Sequence, residues 1–270
     1  MRKILLTGAS SGIGLAITKL LVAKGYQVWG TSRSAGRMAH IEGINPIVLD
    51  LNSDQSIQEG WSKLIDQAGH VDVVINNAGS GYFGSTENMA IETERELINT
   101  LLHGPMLLSR LAVKHFRANE SGLLINVSSV AGEFPMPFMA CYSAAKAALI
   151  CYTEALRLEL AGESINVVNI KPGDIHTDFN DSMPKPLLNE NDPYQNRVQK
   201  VWHAVDQNMK HAPGPELVAQ VVLRAMQEKG KREDYYAGDF FQTFLAPLAN
   251  RFLPRKVVRL ALKVYYGLPL

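Results

Sequence analysis

The chain has 270 residues, 46% of them hydrophobic, and its 27 basic and 26 acidic side chains leave a net charge of +1. That balance implies no nucleic-acid or other polyelectrolyte partner, and the length suits one α/β unit with a substantial core. Two cysteines cannot build a disulfide framework; if one helix carries both Cys141 and Cys151 they lie roughly 15 Å apart, too far to bridge, and they read as reduced packing residues in a reducing compartment.

The opening MRKILLTGAS has two positive residues and a short apolar run broken by Gly8, too short for a signal segment. No apolar stretch reaches the roughly 18 residues of a membrane span, so a cytoplasmic location is expected. KILLT, from Lys3, reads as a buried strand. GIGLAITKLLVAKG, from Gly12, has helical spacing and stops at Gly25. YQVWGTS and PIVLDL read as the second and third strands, followed by a helix over SDQSIQEGWSKLIDQAG. VDVVINNAG is a fourth strand that breaks at Gly79, and a long helical region runs from Glu87 to Ala118. GLLINVSS is a fifth strand. The next helix carries Tyr142 and runs to about Ala161, and SINVVNIKPG is a sixth strand stopped by Pro172 and Gly173. From Asp174 to Gly214 the pattern degrades around Pro184, Pro186 and Pro193, which reads as an insertion or lid. GPELVAQVVLRAMQEKG resumes as a helix with Pro215 in its first turn, DYYAG is a last strand, and the tail from Asp239 is helical. This alternation gives an α/β fold with a mostly parallel sheet covered on both faces, in a single domain.

In ACYSAAKAAL, Tyr142 and Lys146 lie one helical turn apart on one face. Such a pair is either surface decoration or proton chemistry, since a nearby cation favours phenolate. In TGASSGIG, glycines at 8, 12 and 14 stand between a strand and a helix. Glycine allows a tight turn and close approach of a phosphate, and a helix N-terminus supplies free N–H groups.

TGASSGIG, NNAG at Asn76–Gly79, NVSS at Asn126–Ser129, YSAAK at Tyr142–Lys146 and KPG at Lys171–Gly173 follow one another in the order found in short-chain dehydrogenases/reductases. The chain resembles that family over roughly residues 3 to 180, and more loosely through the helix near Leu223. The resemblance implies a Rossmann-type, doubly wound parallel sheet with helices on both faces and a nicotinamide cofactor across the strand carboxyl ends. It divides the single domain 1–270 into a cofactor-binding and catalytic core (1–180), a substrate loop or lid (178–213) and a helical C-terminal tail (239–270).

Carried over residue by residue, Tyr142 is the acid/base. Ser129, thirteen residues earlier, holds the substrate oxygen, while Ser128 supports the strand end. Lys146 bonds the nicotinamide ribose, where Tyr142 also contacts the cofactor, and lowers the tyrosine pKa. The glycine turn contributes Gly8, Ser10, Ser11, Gly12, Ile13 and Gly14. Asp50 and Leu51 resemble the pair beside the adenine, and Asn77, Ala78 and Gly79 line the adenine ribose side. Pro172, Gly173, Ile175 and Thr177 belong at the nicotinamide carboxamide. The second strand ends in Thr31, Ser32 and Arg33 with no carboxylate, so Arg33 is expected to meet a 2′-phosphate and the cofactor to be NADP(H). Ser11 stands where a second basic residue often occurs in NADP-binding members. The chain departs from the family at Leu101, which takes the place of a proton-relay asparagine; Asn99, the nearest asparagine, stands about 200° around the helix, and water with backbone groups is the alternative relay.

The segment holding Glu133, Phe134, Pro135, Phe138 and Met139, with Tyr82 and Phe83, is expected to form an apolar pocket wall suited to a hydrophobic ketone, aldehyde or alcohol. Asp174 reads as an exposed loop carboxylate or one that faces the substrate, His103 and His176 read as solvated or packing residues, and no metal is expected. Arg251, Arg255, Arg259 and Lys263 recur every fourth residue beside Val257, Leu260, Ala261 and Val264. That amphipathic basic helix could lie on a membrane surface, cap the pocket or pack on a partner. The resemblance further implies a homodimer or homotetramer. The rival reading is an NADPH-binding sensor or scaffold with little turnover, supported by Leu101 alone.

Overall fold

In the computed structural model, which describes residues 2–184 and 192–269, the apolar runs become seven strands. They are β1 (Lys3–Leu6), β2 (Gln27–Ser32), β3 (Ile44–Val48), β4 (Val73–Asn76), β5 (Gly122–Val127), β6 (Ile165–Pro172) and β7 (Asp234–Ala237). All pair in parallel, in the order β3-β2-β1-β4-β5-β6-β7. Strand side chains alternate between two apolar layers. Ile4, Leu6, Val28 and Ile125 pack with α1 (Gly12–Ala23) and α8 (Glu216–Gln227). Leu5, Trp29, Val74 and Leu124 pack on the other side with α2 (Asp54–Ala68), α4 (Gly104–Ala118) and α5 (Ala140–Glu159). This is the doubly wound Rossmann-type architecture that the motifs imply.

Two stretches differ from the sequence reading. The helical region expected from Glu87 begins as a short 3₁₀ turn, Thr86–Asn88; α3 (Ile91–Ile98) then runs through a π-helical turn, Asn99–His103, into α4. Pro105 lacks the N–H that would donate to the carbonyl of Leu101, which frees the ladder to shift register there. Gly104 lets the same turn press on the loop after β3: a Cβ on it would lie 2.9 Å from the Leu51 carbonyl oxygen.

The second difference lies in the proline-broken stretch. Of its prolines, Pro186 lies outside the described residues, as does the part of the lid range at 185–191. Past Pro193, however, the chain forms α7 (Gln195–His211). Its Val198, Val201 and Val205 are buried at helical spacing, and Trp202 meets Phe83 edge-on at 4.8 Å. A single turn, α6 (Phe179–Ser182), precedes it; α9 (Ala246–Phe252) and α10 (Arg255–Tyr265) close the chain. No described helix is long and apolar enough to cross a membrane.

A polar row crosses the buried sheet. Asn76, Asn126 and Asn169 are register partners on β4, β5 and β6. Asn76 Nδ2 donates to Asn126 Oδ1 at 2.8 Å and to Ser109 Oγ at 3.1 Å, and Asn126 Nδ2 donates to Thr153 Oγ1 at 2.8 Å. The row therefore ties β4 and β5 to α4 and α5. Asn126→Ala should cost about 2 kcal/mol, because the buried groups left behind lose their partners. Urea unfolding should show this as a lower midpoint at unchanged slope; an unchanged midpoint would mean that the row contributes nothing.

Candidate active site

The site lies at the carboxyl ends of the strands, where β1 and β4 lead to helices on opposite faces. After β1 the chain turns through Gly8, at φ +69°, into α1. Here glycine is obligatory: a Cβ on Gly8 would lie 2.8 Å from Ala78 Cα, and one on Gly14 would lie 1.9 Å from the Gly8 carbonyl oxygen. The Ser11 side chain does not cap α1 and its first turn holds no acidic residue. The helix thus presents uncapped N–H groups and the positive end of its dipole to the crevice, a donor set suited to a diphosphate.

Across the crevice, Asn77 and Ala78 donate their backbone N–H groups to Thr7 Oγ1 at 2.9 and 3.0 Å, and Asn77 Nδ2 donates to the Thr7 carbonyl at 3.0 Å. The turns after β1 and β4 are thereby bolted together. At the end of β2, Thr31 and Ser32 are buried while Arg33 is exposed at the crevice rim. Arg37, also exposed, lines the same cavity. The sequence reading missed this second guanidinium; its position four residues after Arg33 was the available signal.

The catalytic candidates converge from three segments. Ser129, buried just past β5, accepts the Ala131 N–H at 3.1 Å, and its Oγ lies 3.4 Å from the Pro172 carbonyl oxygen. Ser128 instead bonds to the Ile170 carbonyl and so supports the strand end, as expected. Tyr142 and Lys146 project from α5, with Lys146 Nζ 5.8 Å from the centre of the Tyr142 ring. Lys146 is buried and donates to the Val127 carbonyl at 2.8 Å.

Burial lowers the Lys146 pKa to about 8. Burial also pushes the Tyr142 phenol above its usual value, against the lowering effect of its hydrogen bond with Ser129. The expectation that Lys146 pulls the phenol down is therefore corrected for the protein alone. Desolvation dominates both groups, and the Lys146 hydrogen bond goes to a backbone carbonyl rather than to the phenol.

One cavity of about 710 Å³ unites every residue carried over from the family: the glycine turn, Arg33, the Asp50 and Asn77 stretches, Ser129, Tyr142, Lys146 and the segment from Pro172 to Thr177. Leu101 does not line it. That side chain is fully buried beside Tyr82, Leu97 and Ala145, and Asn99 is half-buried and also off the cavity wall.

The expected wall is only partly correct. Phe134 and Met139 line the cavity, whereas Tyr82 and Phe83 are buried behind it. Pro135 and Phe138 also stand off the lining; Phe138 packs against Phe83 and Tyr194. Glu133 turns away to bond Lys171 at 2.7 Å and the Tyr236 hydroxyl at 3.0 Å. The missing wall comes from elsewhere: Val205 and Met209 of α7, and Ala249, Leu253, Val258, Ala261, Leu262 and Tyr265 of the tail.

Asp174, read as exposed, is half-buried and holds this wall in place. Gln242 Nε2 donates to Asp174 Oδ2 at 2.7 Å, and the Asp174 N–H donates to Gln242 Oε1 at 2.8 Å. Burial raises the Asp174 pKa while Gln242 lowers it. Both cysteines are free, and Cys151 is exposed rather than packed. His103 meets Asp54 at the surface, and His176 Nδ1 lies 3.2 Å from the Met209 carbonyl.

Residues 2–187 match the short chain dehydrogenase family. Along 98% of its own length and of the relative's, the chain is 29% identical to a 3-ketodihydrosphingosine reductase of Bacteroides thetaiotaomicron. It is 35% identical over 175 residues to a probable NADP-dependent dehydrogenase of Haemophilus influenzae, which spans 63% of this chain and 69% of that protein. Among solved structures, a short-chain dehydrogenase from Streptomyces avermitilis superposes with a TM-score of 0.81 at 29% identity, covering 98% of this chain and 97% of that one.

The Lys146 environment predicts a pH dependence. Between about pH 8 and its unfolded pKa near 10.5, the unfolded chain binds the Lys146 proton that the folded one has released. Stability without cofactor should therefore gain from this group as pH rises through that window, by about 3 kcal/mol in all. Comparing urea midpoints of the wild type and Lys146→Met across pH 7 to 10 isolates the effect. Their difference should change with pH; parallel curves would contradict it.

Proposed function

The chain belongs to the short-chain dehydrogenase/reductase family and is an NAD(P)-dependent oxidoreductase, and from that premise we propose that it uses NADP(H) to interconvert a long, hydrophobic ketone or aldehyde with its alcohol. The observation that carries this reading is the placement of Ser129, Tyr142 and Lys146 on a cavity whose far wall is built by the apolar tail. A small polar substrate would leave that wall wet, whereas an extended hydrocarbon would cover it and gain about 25 cal/mol per Å² of apolar surface buried. The relative named for 3-ketodihydrosphingosine reduction supports the same substrate class.

The cradle fits a dinucleotide phosphate. Gly8 and Gly14 leave room for backbone approach, the start of α1 offers its N–H groups, and Arg33 and Arg37 stand at a strand end that carries no carboxylate. Two guanidiniums suit a 2′-phosphate dianion better than a ribose hydroxyl. The bound nicotinamide supplies or accepts the hydride.

The chain's own groups handle orientation and the proton. Ser129 Oγ, fixed by the Ala131 N–H, is placed to donate to the substrate oxygen. In the reducing direction Tyr142 then gives its phenolic proton to that oxygen as the carbonyl carbon receives hydride. The raised phenol pKa keeps that proton in place until the oxygen becomes basic. Lys146, with its pKa brought to about 8, can return a proton toward the phenolate near neutral pH. The Leu101 side chain offers no polar group for that return, so Lys146 would pass the proton by way of water and backbone groups.

Two measurements test the assignment. NADPH oxidation against a series of 3-keto compounds of increasing chain length, with NADH in parallel, should give turnover that favours NADPH and rises with chain length. Tight NADPH binding without turnover on any member would favour the sensor reading, for which buried Leu101 is the argument. Tyr142→Phe should lower kcat by about a thousandfold or more with NADPH affinity held within a few-fold.

Arg33→Ala and Arg37→Ala should each weaken NADPH roughly tenfold, the scale of one charge-assisted hydrogen bond, and leave NADH nearly unchanged. Equal losses for the two cofactors would remove the 2′-phosphate assignment.

A further inference from the structure

The tail presents a second surface that neither the cavity nor the cofactor cradle uses. Around the helix axis, α10 carries three stripes. Val258, Leu262 and Tyr265 face the cavity. Val257, Leu260 and Val264 form an apolar stripe turned outward, 45%, 50% and 65% exposed. Between the two runs a basic stripe, Arg255, Arg259 and Lys263, with Lys256 at its edge.

The preceding segment carries further exposed apolar side chains. Phe240 and Phe244 stack at 5.3 Å and are 67% and 55% exposed, with Leu245 and Leu248 beside them in sequence at 43% and 45%. Large apolar side chains exposed in this number mark a contact surface.

Charge identifies the occupant. Residues 240–270 contain five basic residues and no acidic one, so the rest of the chain is net acidic. None of Arg255, Lys256, Arg259 and Lys263 has a carboxylate partner among the described residues. We propose that this face docks on the surface of an anionic phospholipid bilayer, with the Val257–Leu260–Val264 stripe and the Phe240–Phe244 pair in the acyl boundary and the basic stripe among the headgroups.

The 11-residue helix would lie along the interface, about 16 Å long at 1.5 Å per residue, inserted to a depth of order 5–10 Å. A second copy of the chain fits less well. A twofold contact through this face would set one basic stripe against another, and α10 itself carries no acidic residue to offset it. Because Val258, Leu262 and Tyr265 of the same helix line the cavity, docking would bring that cavity wall close to the lipid boundary.

The test is sedimentation of the full-length protein with vesicles, which needs no turnover and so stands apart from the proposed reaction. Binding to vesicles of phosphatidylcholine with phosphatidylglycerol should exceed binding to phosphatidylcholine alone, and should fall as salt is raised. Removing two charges, Arg255→Ala with Arg259→Ala, should lower partitioning by roughly 25-fold, about fivefold for each. Val257→Gln with Leu260→Gln, both outside the cavity, should abolish binding while the circular dichroism spectrum and thermal midpoint stay as in the wild type.

Three results would overturn the proposal: no vesicle binding by the wild type, binding indifferent to anionic lipid, or a vesicle-inert oligomer that dissociates on Val257→Gln with Leu260→Gln. The last would assign the face to a second copy.

Discussion

The contact between the turns that follow β1 and β4 is the constraint on which the rest of the molecule depends. These strands are neighbours in the sheet, yet the chain leaves them toward opposite faces, which opens a crevice at their carboxyl ends. The crevice is useful only if its floor is rigid and its wall close. Gly8 against Ala78 brings the turns to backbone contact, and Gly14 against the Gly8 carbonyl brings the first turn of α1 down onto them. Thr7 then fastens the arrangement with three hydrogen bonds to Asn77 and Ala78. A methyl group at either glycine would separate the turns and tilt α1, and the donor set for a phosphate would be lost with it. The glycines at 8 and 14 are thus a packing requirement first, and the anion site is its consequence.

A second set of bonds holds the reacting side of the crevice. Lys171, almost fully buried at the end of β6, bonds Glu133 and Asp234 at 2.7 and 2.8 Å. Burial opposes its charge, but the hydrogen bonds it donates to both carboxylates, and their negative charge, outweigh it and hold its pKa well above the ordinary lysine value. Arg157 reaches the same Asp234 from α5. The loop that begins at Ser129, the edge strand β7 and the helix that carries Tyr142 and Lys146 are therefore tied to one buried cation. Such a cluster contributes little net stability, since desolvation offsets much of the attraction, but removing any one member strands the others. Its value here is positional: Ser129 and Tyr142 come from different segments, and the cluster ties those segments to each other.

What the sequence disclosed follows from how local each signal is. The strands and the alternation of helices were legible because buried parallel strands are short apolar runs punctuated by glycine. Ser129, Tyr142, Lys146 and the glycine turn were legible because each sits in a compact motif whose spacing is itself the geometry. The lining beyond them was not. Val205, Met209, Leu253 and Leu262 are ordinary apolar residues far along the chain, and only the folded molecule brings them opposite Tyr142. Helix α7 was hidden by Pro193, which breaks the pattern just before it although Val198, Val201 and Val205 keep helical spacing. The π-helical turn at Asn99–His103 was hidden too, because a register shift leaves no mark on composition. Glu133 was misplaced for a simpler reason: nothing local shows that Lys171, 38 residues away, draws it off the cavity.

The tail shows how far amphipathicity alone can be read. Its pattern admitted a lipid surface, a pocket cap or a protein partner, and these readings are compatible once the helix has three stripes rather than two. Gln242 decides the inward half. It bonds both the backbone and the carboxylate of Asp174, and it fills the space that a side chain at Gly173 would occupy, with a Cβ there only 2.1 Å from its Oε1. The tail is thereby seated on the loop that bounds the reacting end of the cavity, and Asn208 Nδ2 holds the Tyr265 hydroxyl at 2.6 Å from the side of α7. With the inward face fixed at both points, the outward stripe has no freedom to turn in and bury itself. Its exposure follows from how the cavity is built, so the contact that shapes the substrate site also sets the orientation of the surface that meets whatever lies outside.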